Sequence, residues 1–309
     1  MKTVDLFAGS GGLSLGFGNA GFLILAAYDS WKPAVECYRA NFSHPIFEMD
    51  LGAIAESIKH ISQWSPDIII GGPPCQDFSH AGKRSEGNKA ILTTSFANII
   101  AHIRPKWFVM ENVDRAFKSN AYKQAREIFK DTGYGLTERI LDASLCGVPQ
   151  YRKRFFCVGL LKARDGFLDS FLDSSLSGEP LTVRDYFADE LGVHYYYRHP
   201  RNYNRRGIFS IDEPAPTVRG VNRPVPKGYQ GHPNDPVPVT PALRPLTTME
   251  RARIQTFPST FIWKGNKTEI EQMIGNAVPV KLAEFIAHAI MSFKNKRVHR
   301  SKATANLRA

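Results

Sequence analysis

The sequence predicts an α/β fold, a mostly parallel sheet covered by helices on both faces, joined to a smaller irregular region. Two observations carry this. Over the first 160 residues, short apolar runs bounded by turn residues alternate with segments of helical period, the pattern of a sheet with helical crossovers. Near residue 180 the composition changes: eleven of the 20 prolines fall between Pro180 and Pro245, and helical period is lost. A chain of 309 residues can bury a large core and still hold two unequal units. The expected division is a larger domain from 1–179 and 268–309, and a smaller one from 180–267.

The strands are read from apolar runs at Thr3–Phe7, Phe22–Tyr28, Asp67–Ile70, Trp107–Met110 and Phe155–Leu161. Pro33 suits the first turn of a helix with Ala34, Cys37 and Tyr38 on one face. Phe96, Ile99, Ile100 and Ile103 make one helical stripe, and Tyr122, Ala125, Ile128 and Phe129 another. After Pro279 a last stripe, Leu282, Phe285, Ile286, Ala289 and Ile290, returns to the larger domain, and the basic tail from Lys294 is expected to fray. Ligands of such folds bind at the carboxyl ends of the strands.

The net charge of +11 calls for a polyanionic partner, most simply nucleic acid. Four separated cysteines, with no C-x-x-C pair, point away from zinc and from a disulfide framework. The opening residues lack a signal-peptide core, and no run nears the roughly 20 apolar residues of a membrane span. A soluble, cytoplasmic protein with no metal and no membrane partner is expected.

"DLFAGSGGLSLGF" (5–17) follows the first strand and opens a helix. Gly9, Gly11 and Gly12 permit a tight turn and close approach of backbone to ligand. Asp29 follows the second strand, about 20 residues on, where a carboxylate can take ribose hydroxyls. An adenosine-bearing cofactor is indicated. Ser14 stands where a dinucleotide fingerprint wants glycine, and a P-loop Gly-Lys-Ser/Thr is absent. Asp5, just before the glycines, could accept from a cofactor amine, which favours S-adenosylmethionine over NAD.

"GGPPCQDFS" (71–79) begins at a strand's carboxyl end, with two permissive residues and then two stiff ones before Cys75. By itself the loop leaves Cys75 between inert core filler and poised nucleophile. With "DLFAGSGG" (5–12), "ENV" (111–113), "QYRKR" (150–154), "RPLTTMERARIQTFP" (244–258) and "GNAVP" (275–279), it completes six ordered motifs along nearly the whole chain. In these motifs the sequence resembles the DNA cytosine-5 methyltransferases of bacterial restriction-modification type. The variable target-recognition region of that family corresponds to the proline-rich stretch.

The resemblance implies the class I S-adenosylmethionine-dependent methyltransferase fold and methylation of carbon 5 of cytosine in a short duplex DNA site. It makes Cys75 the nucleophile that adds to carbon 6, turning carbon 5 into an enamine carbon. Glu111 becomes the acid near ring nitrogen 3, a role that needs a raised pKa. Arg152 is placed at the catalytic centre, with Arg154 supporting it. Cofactor contacts are expected from Asp5, Phe7, Gly9, Gly11, Gly12, Leu13, Asp29, Asp50, Leu51, Pro73, Leu92, Asn276 and Val278. The target base must leave the stack, a step for which methyltransferases are among the known examples. The polar loop 80–90 is expected to close over it.

DNA contacts are expected from Gln76, Ser79, Lys83, Arg84 and Gln150. The segment 194–207 is rich in arginine and tyrosine and has no acid. It supplies Arg198, Arg201, Arg205 and Arg206 as candidate readers, followed by Arg219, Asn222 and Arg223. Two positions depart from the family pattern: Ser30 separates Asp29 from Trp31, and Gly87 and Lys89 replace an Asp-x-Arg. A monomer is expected, with a restriction endonuclease as a genetic and not a physical partner. Rival readings are a tRNA-directed relative, a nicotinamide oxidoreductase using the glycine loop, and a DNA-binding protein that has lost catalysis.

Overall fold

The computed structural model describes residues 1–74, 91–202 and 204–306, with 297–306 as backbone only. Cys75, Gln76, Ser79, Lys83, Arg84 and the 80–90 loop lie outside the described residues.

The larger unit runs β1 (Lys2–Leu6), α1 (Gly12–Asn19), β2 (Leu23–Asp29), α2 (Lys32–Arg39), β3 (Ile46–Glu48), α3 (Ile54–Ser62), β4 (Ile68–Gly71), α4 (Ile91–Ile103) and β5 (Trp107–Val113). It continues with α5 (Asn120–Asp131), β6 (Tyr134–Asp142), β7 (Gln150–Tyr151), β8 (Lys153–Leu161) and α6 (Asp169–Asp173). Seven strands form one sheet in the order β3-β2-β1-β4-β5-β8-β6. Neighbours among β1 to β5 pair in parallel, whereas β8 runs antiparallel to both β5 and β6.

Strand alternation sends side chains to two cores. Ile68, Ile70, Trp107, Val109, Phe156 and Val158 meet one helical layer, with Leu282, Ile286 and Ile290. Ile69, Phe108, Met110, Phe155 and Cys157 meet the other, with Phe96, Ile100 and Phe129. Strand β4 is buried along its whole length, which explains its unbroken apolar sequence. Strand β5 is longer than its apolar run, because pairing with β8 continues to Val113 opposite Arg154. Glu111 and Asn112 are therefore sheet residues, held by the backbone ladder.

The smaller unit holds α7 (Val183–Phe187), β9 (Tyr195–Tyr197), β10 (Ile208–Ser210), β11 (Ala215–Pro216) and α8 (Thr248–Ile254). The two-residue strand β11 pairs with β7, stitching the units together. A small core of Val183, Phe187, Tyr196, Ile211, Leu246 and Ile254 supports it, and takes Ile274 from α9 (Lys267–Asn276). Capping boxes at Thr182/Asp185, Thr247/Glu250 and Asn266/Glu269 satisfy the exposed amides at the starts of α7, α8 and α9. The last helix, α10 (Val280–Asn306), runs on through the basic segment expected to fray. That segment holds no glycine or proline to stop it.

Candidate active site

Strands β1 and β4 are neighbours, with β2 on the far side of β1 and β5 on the far side of β4, the strand order that opens a crevice at their carboxyl ends. Phe7, Gly9 and Gly11 adopt left-handed conformations as the chain turns from β1 into α1. A Cβ on Gly12 would lie 2.2 Å from the Val278 carbonyl, so the loop and the "GNAVP" segment touch backbone to backbone. Asp29 fixes the turn by accepting from the Gly9 and Trp31 amides, each at 2.8 Å.

The cleft so formed is lined by Phe7, Gly9, Gly12, Leu13, Asp29, Asp50, Leu51, Pro73, Leu92, Asn276 and Val278, all expected as cofactor contacts. Two others do not line it. Asp5 is fully buried beneath the loop, where Ser14 Oγ donates to it at 2.7 Å and Tyr38 donates in turn to Ser14. Burial, opposed by that hydrogen bond and reinforced by the Asp29 charge, pushes its carboxyl up to about 7. Gly11 faces the Phe42 and Tyr38 rings, 2.5 Å and 3.0 Å from an added Cβ, so it serves packing and the turn. Ser10, Trp31, Met49 and Gln272 also line the cleft. Ser10 comes with the glycine motif, Trp31 follows Asp29, Met49 follows β3, and Gln272 comes in from α9.

At the far wall lies Glu111, almost fully buried. Burial pushes its carboxyl above the usual range, although Arg154 and then Arg152 pull it down. Arg154 Nε is 3.0 Å from Glu111 Oε1. Asn112 donates to the Pro73 carbonyl at 3.2 Å and so pins the loop two residues before Cys75. Pro74, the neighbour of Cys75 in the chain, lines the cleft.

Arg152, expected at the catalytic centre, lies near enough to Glu111 to pull its carboxyl down and lines the larger groove beside it. Its guanidinium is 1% exposed and donates to the carbonyls of Val218, Gly275 and Ala277 at 3.0, 2.9 and 3.1 Å. Alternation puts both arginines on one side of an extended segment, but their partners divide them: Arg152 donates to three backbone carbonyls, whereas Arg154 also pairs with the Glu111 carboxylate.

A second, larger groove opens between the units, lined by Arg115, Lys153, Arg154, Arg198, Arg201, Arg205, Arg206 and Arg219 against the two acids Asp114 and Asp142. Of these, Arg115 and Lys153 escaped the sequence reading, as did half-exposed Tyr151. Arg206 also stacks on Phe209 and pairs with Glu213. Asn222 and Arg223 line a separate small hollow beside Arg198 and Arg219, with the Asn222 amide donating to Leu246. Gln150 is fully buried, bonded to Gln255 and to the Val218 amide, which removes it from any surface a duplex could touch. The two clefts share Val113, Arg154, Gly275 and Asn276 as common wall.

A sheet of this order, with an antiparallel β8 and a glycine-loop crevice, is the class I methyltransferase fold. The chain belongs to the C-5 cytosine-specific DNA methylase family, whose model matches residues 1–292, and it is a DNA (cytosine-5)-methyltransferase. It is 58% identical over 300 residues to the Type II methyltransferase M.HindV of Haemophilus influenzae, covering 96% of this chain and 99% of that one. Against the Type II methyltransferase M.HgiDI of Herpetosiphon aurantiacus it is 55% identical, covering 96% of each. Among solved structures, a putative prophage-encoded DNA modification methyltransferase of E. coli superposes with a TM-score of 0.71 at 22% identity, over 96% of this chain and 99% of that one. The Dnmt2 methyltransferase of S. pombe does so with a TM-score of 0.69 at 19% identity, over 94% and 98%. Among the described residues, no helix is long and apolar enough to cross a membrane.

Proposed function

We propose that the chain methylates carbon 5 of cytosine within one short duplex DNA sequence, using S-adenosylmethionine, as the modification partner of a restriction endonuclease. The observation that carries this is the Glu111–Arg154 pair at the wall where the cofactor cleft meets the cationic groove. A base swung out of a duplex in the groove would meet an acid there, with a methyl donor on the other side.

The cleft fits an adenosine-bearing donor. Its wall carries the Asp29 and Asp50 carboxylates, a glycine backbone and the Ser10 hydroxyl, which is buried without a partner among the described residues. Asp29 would take the ribose, Asp50 and Leu51 the adenine edge, and Asn276 and Val278 the methionine end. When bound, S-adenosylmethionine supplies a methyl group activated on a sulfonium.

The chain's own groups do the rest. Cys75 adds to carbon 6 as the thiolate, and electron density flows through the ring to nitrogen 3. Glu111, whose carboxyl burial pushes above its usual range, donates there, while Arg154 orients the acid and offers donors to the base carbonyl. Once carbon 5 carries the methyl group, a water molecule takes its proton, the 5,6 double bond re-forms as the Cys75 thiolate leaves, and nitrogen 3 returns its proton to Glu111. The high identity to two Type II methyltransferases supports the restriction-modification setting, and a monomer suffices because cleft and groove belong to one chain.

The test is methylation of a random-sequence duplex library, followed by bisulfite sequencing. Conversion-resistant cytosines should cluster at one short site. Cys75→Ser should abolish them, and 5-fluorocytosine in the site should trap a covalent adduct. Methyl transfer to tRNA but not to DNA, or full activity of Cys75→Ser, would overturn the reading.

A further inference from the structure

We infer that Arg152 is a positioning residue that couples occupation of the cofactor cleft to the setting of the DNA-facing segment 218–223, an inference that rests on the function proposed above. The two sites meet at one buried side chain. Nη1 of Arg152 holds the Val218 carbonyl, and the next residues, Arg219 and Gly220, line the cationic groove. Nη2 holds the carbonyls of Gly275 and Ala277, which flank Asn276 on the cofactor wall.

The contact is tight beyond these bonds. A Cβ on Gly275 would stand 2.1 Å from the Gly220 nitrogen and 2.3 Å from the Arg219 carbonyl carbon, so the two backbones lie against each other. Gln150 holds the other side of the Val218 peptide by accepting from its amide at 2.8 Å. Gln150 also donates to Gln255, which donates to Ile274 and Ala277 on the cofactor side. Both backbone polar groups of Val218 are thus tied to the segment that borders the cofactor. Movement of 275–278 on loading the cleft has to be passed to 218–220 or absorbed by breaking buried hydrogen bonds, which are costly to leave unmade.

A guanidinium suits this task because its planar fork spans acceptors in two directions, whereas an ammonium is a point donor. Linkage requires the effect to be reciprocal, so duplex DNA should tighten the cofactor site as the cofactor tightens DNA binding.

The experiment titrates the purified protein with S-adenosylhomocysteine, with and without saturating duplex that carries the site recovered from the library. In the unaltered protein the duplex should tighten binding by roughly 5- to 150-fold, the usual span of such couplings. In Arg152→Lys that ratio should fall below about twofold, with affinity measured without DNA moving by less than about threefold. Arg201→Ala, outside the network, should weaken DNA binding and leave the ratio unchanged. If Arg152→Lys shows no cooperative melting transition, the ratio is read on Gln150→Met, which cuts the amide side of the same peptide. A ratio kept in either folded variant overturns the inference, as does a ratio of one in the unaltered protein. Site-specific methylation by the unaltered protein, alongside either result, leaves the proposed reaction standing.

Discussion

Asp5→Asn should change how stability depends on pH, and the size follows from the burial of Asp5. The carboxyl has an ordinary value of 3.8 and is pushed up to about 7 in the fold, chiefly by complete burial. Between those values the folded protein holds a proton that the unfolded chain releases. Asp5 therefore weighs least against folding below pH 4, and stability falls as pH rises toward 7. Linkage sets the loss attributable to Asp5 at about 2.5 kcal/mol between pH 5 and pH 8, at 1.36 kcal/mol per unit. Asparagine keeps an acceptor for Ser14 and cannot ionise. Urea unfolding of both proteins at pH 5, 6, 7 and 8 isolates the term. The unaltered protein should lose about 2.5 kcal/mol more than Asp5→Asn over that range, at equal m-values. Parallel pH profiles would refute the reasoning and show that Asp5 is charged, hence differently solvated, in the fold.

Arg154→Met removes the main charge that pulls the Glu111 carboxyl down, so the limb on which kcat falls with rising pH should move to higher pH; an unmoved limb would assign it to another group. Gly12→Ala sets a Cβ 2.2 Å from the Val278 carbonyl. It should cost about 1–3 kcal/mol and weaken binding of S-adenosylhomocysteine, and an unchanged melting temperature with unchanged affinity would count against the close contact. Arg201→Ala should weaken DNA binding across all sequences and lower the slope of log K against log salt by about 1, as for a lost phosphate contact. A loss confined to one base position would make Arg201 a reader instead.

Strands β1, β2, β4 and β5, and helices α2, α4 and α5, were legible because each is an apolar run or stripe long enough to show its period, whereas β3 is only three residues and was not. Strands β7, β9, β10 and β11 were not, since two or three residues cannot display alternation. In the site, most residues that the motifs marked as cofactor contacts come together as the lining of one cleft. What motif position could not convey was facing. Asp5 and Gly11 sit in the glycine motif yet turn inward, one to Ser14 and the other to aromatic rings. Gln150 sits in an arginine-rich motif yet is wholly buried. The division of labour between Arg152 and Arg154 depends on carbonyls more than 60 residues away in sequence, and no local pattern encodes that.

The placement of Glu111 and Arg154 on adjacent strands has a consequence for how such a chain can change. They are cross-strand neighbours in a continuous ladder, with Val113 opposite Arg154 and Glu111 opposite Phe156. Their spacing is set by sheet geometry and owes nothing to residues 180–247. That stretch can be lengthened, shortened or exchanged without resetting the distance between acid and cation, provided its junction at Val218 is kept. On the function proposed above, new target sequences are then reachable by replacing one insert, while the acid and its cation stay with the sheet.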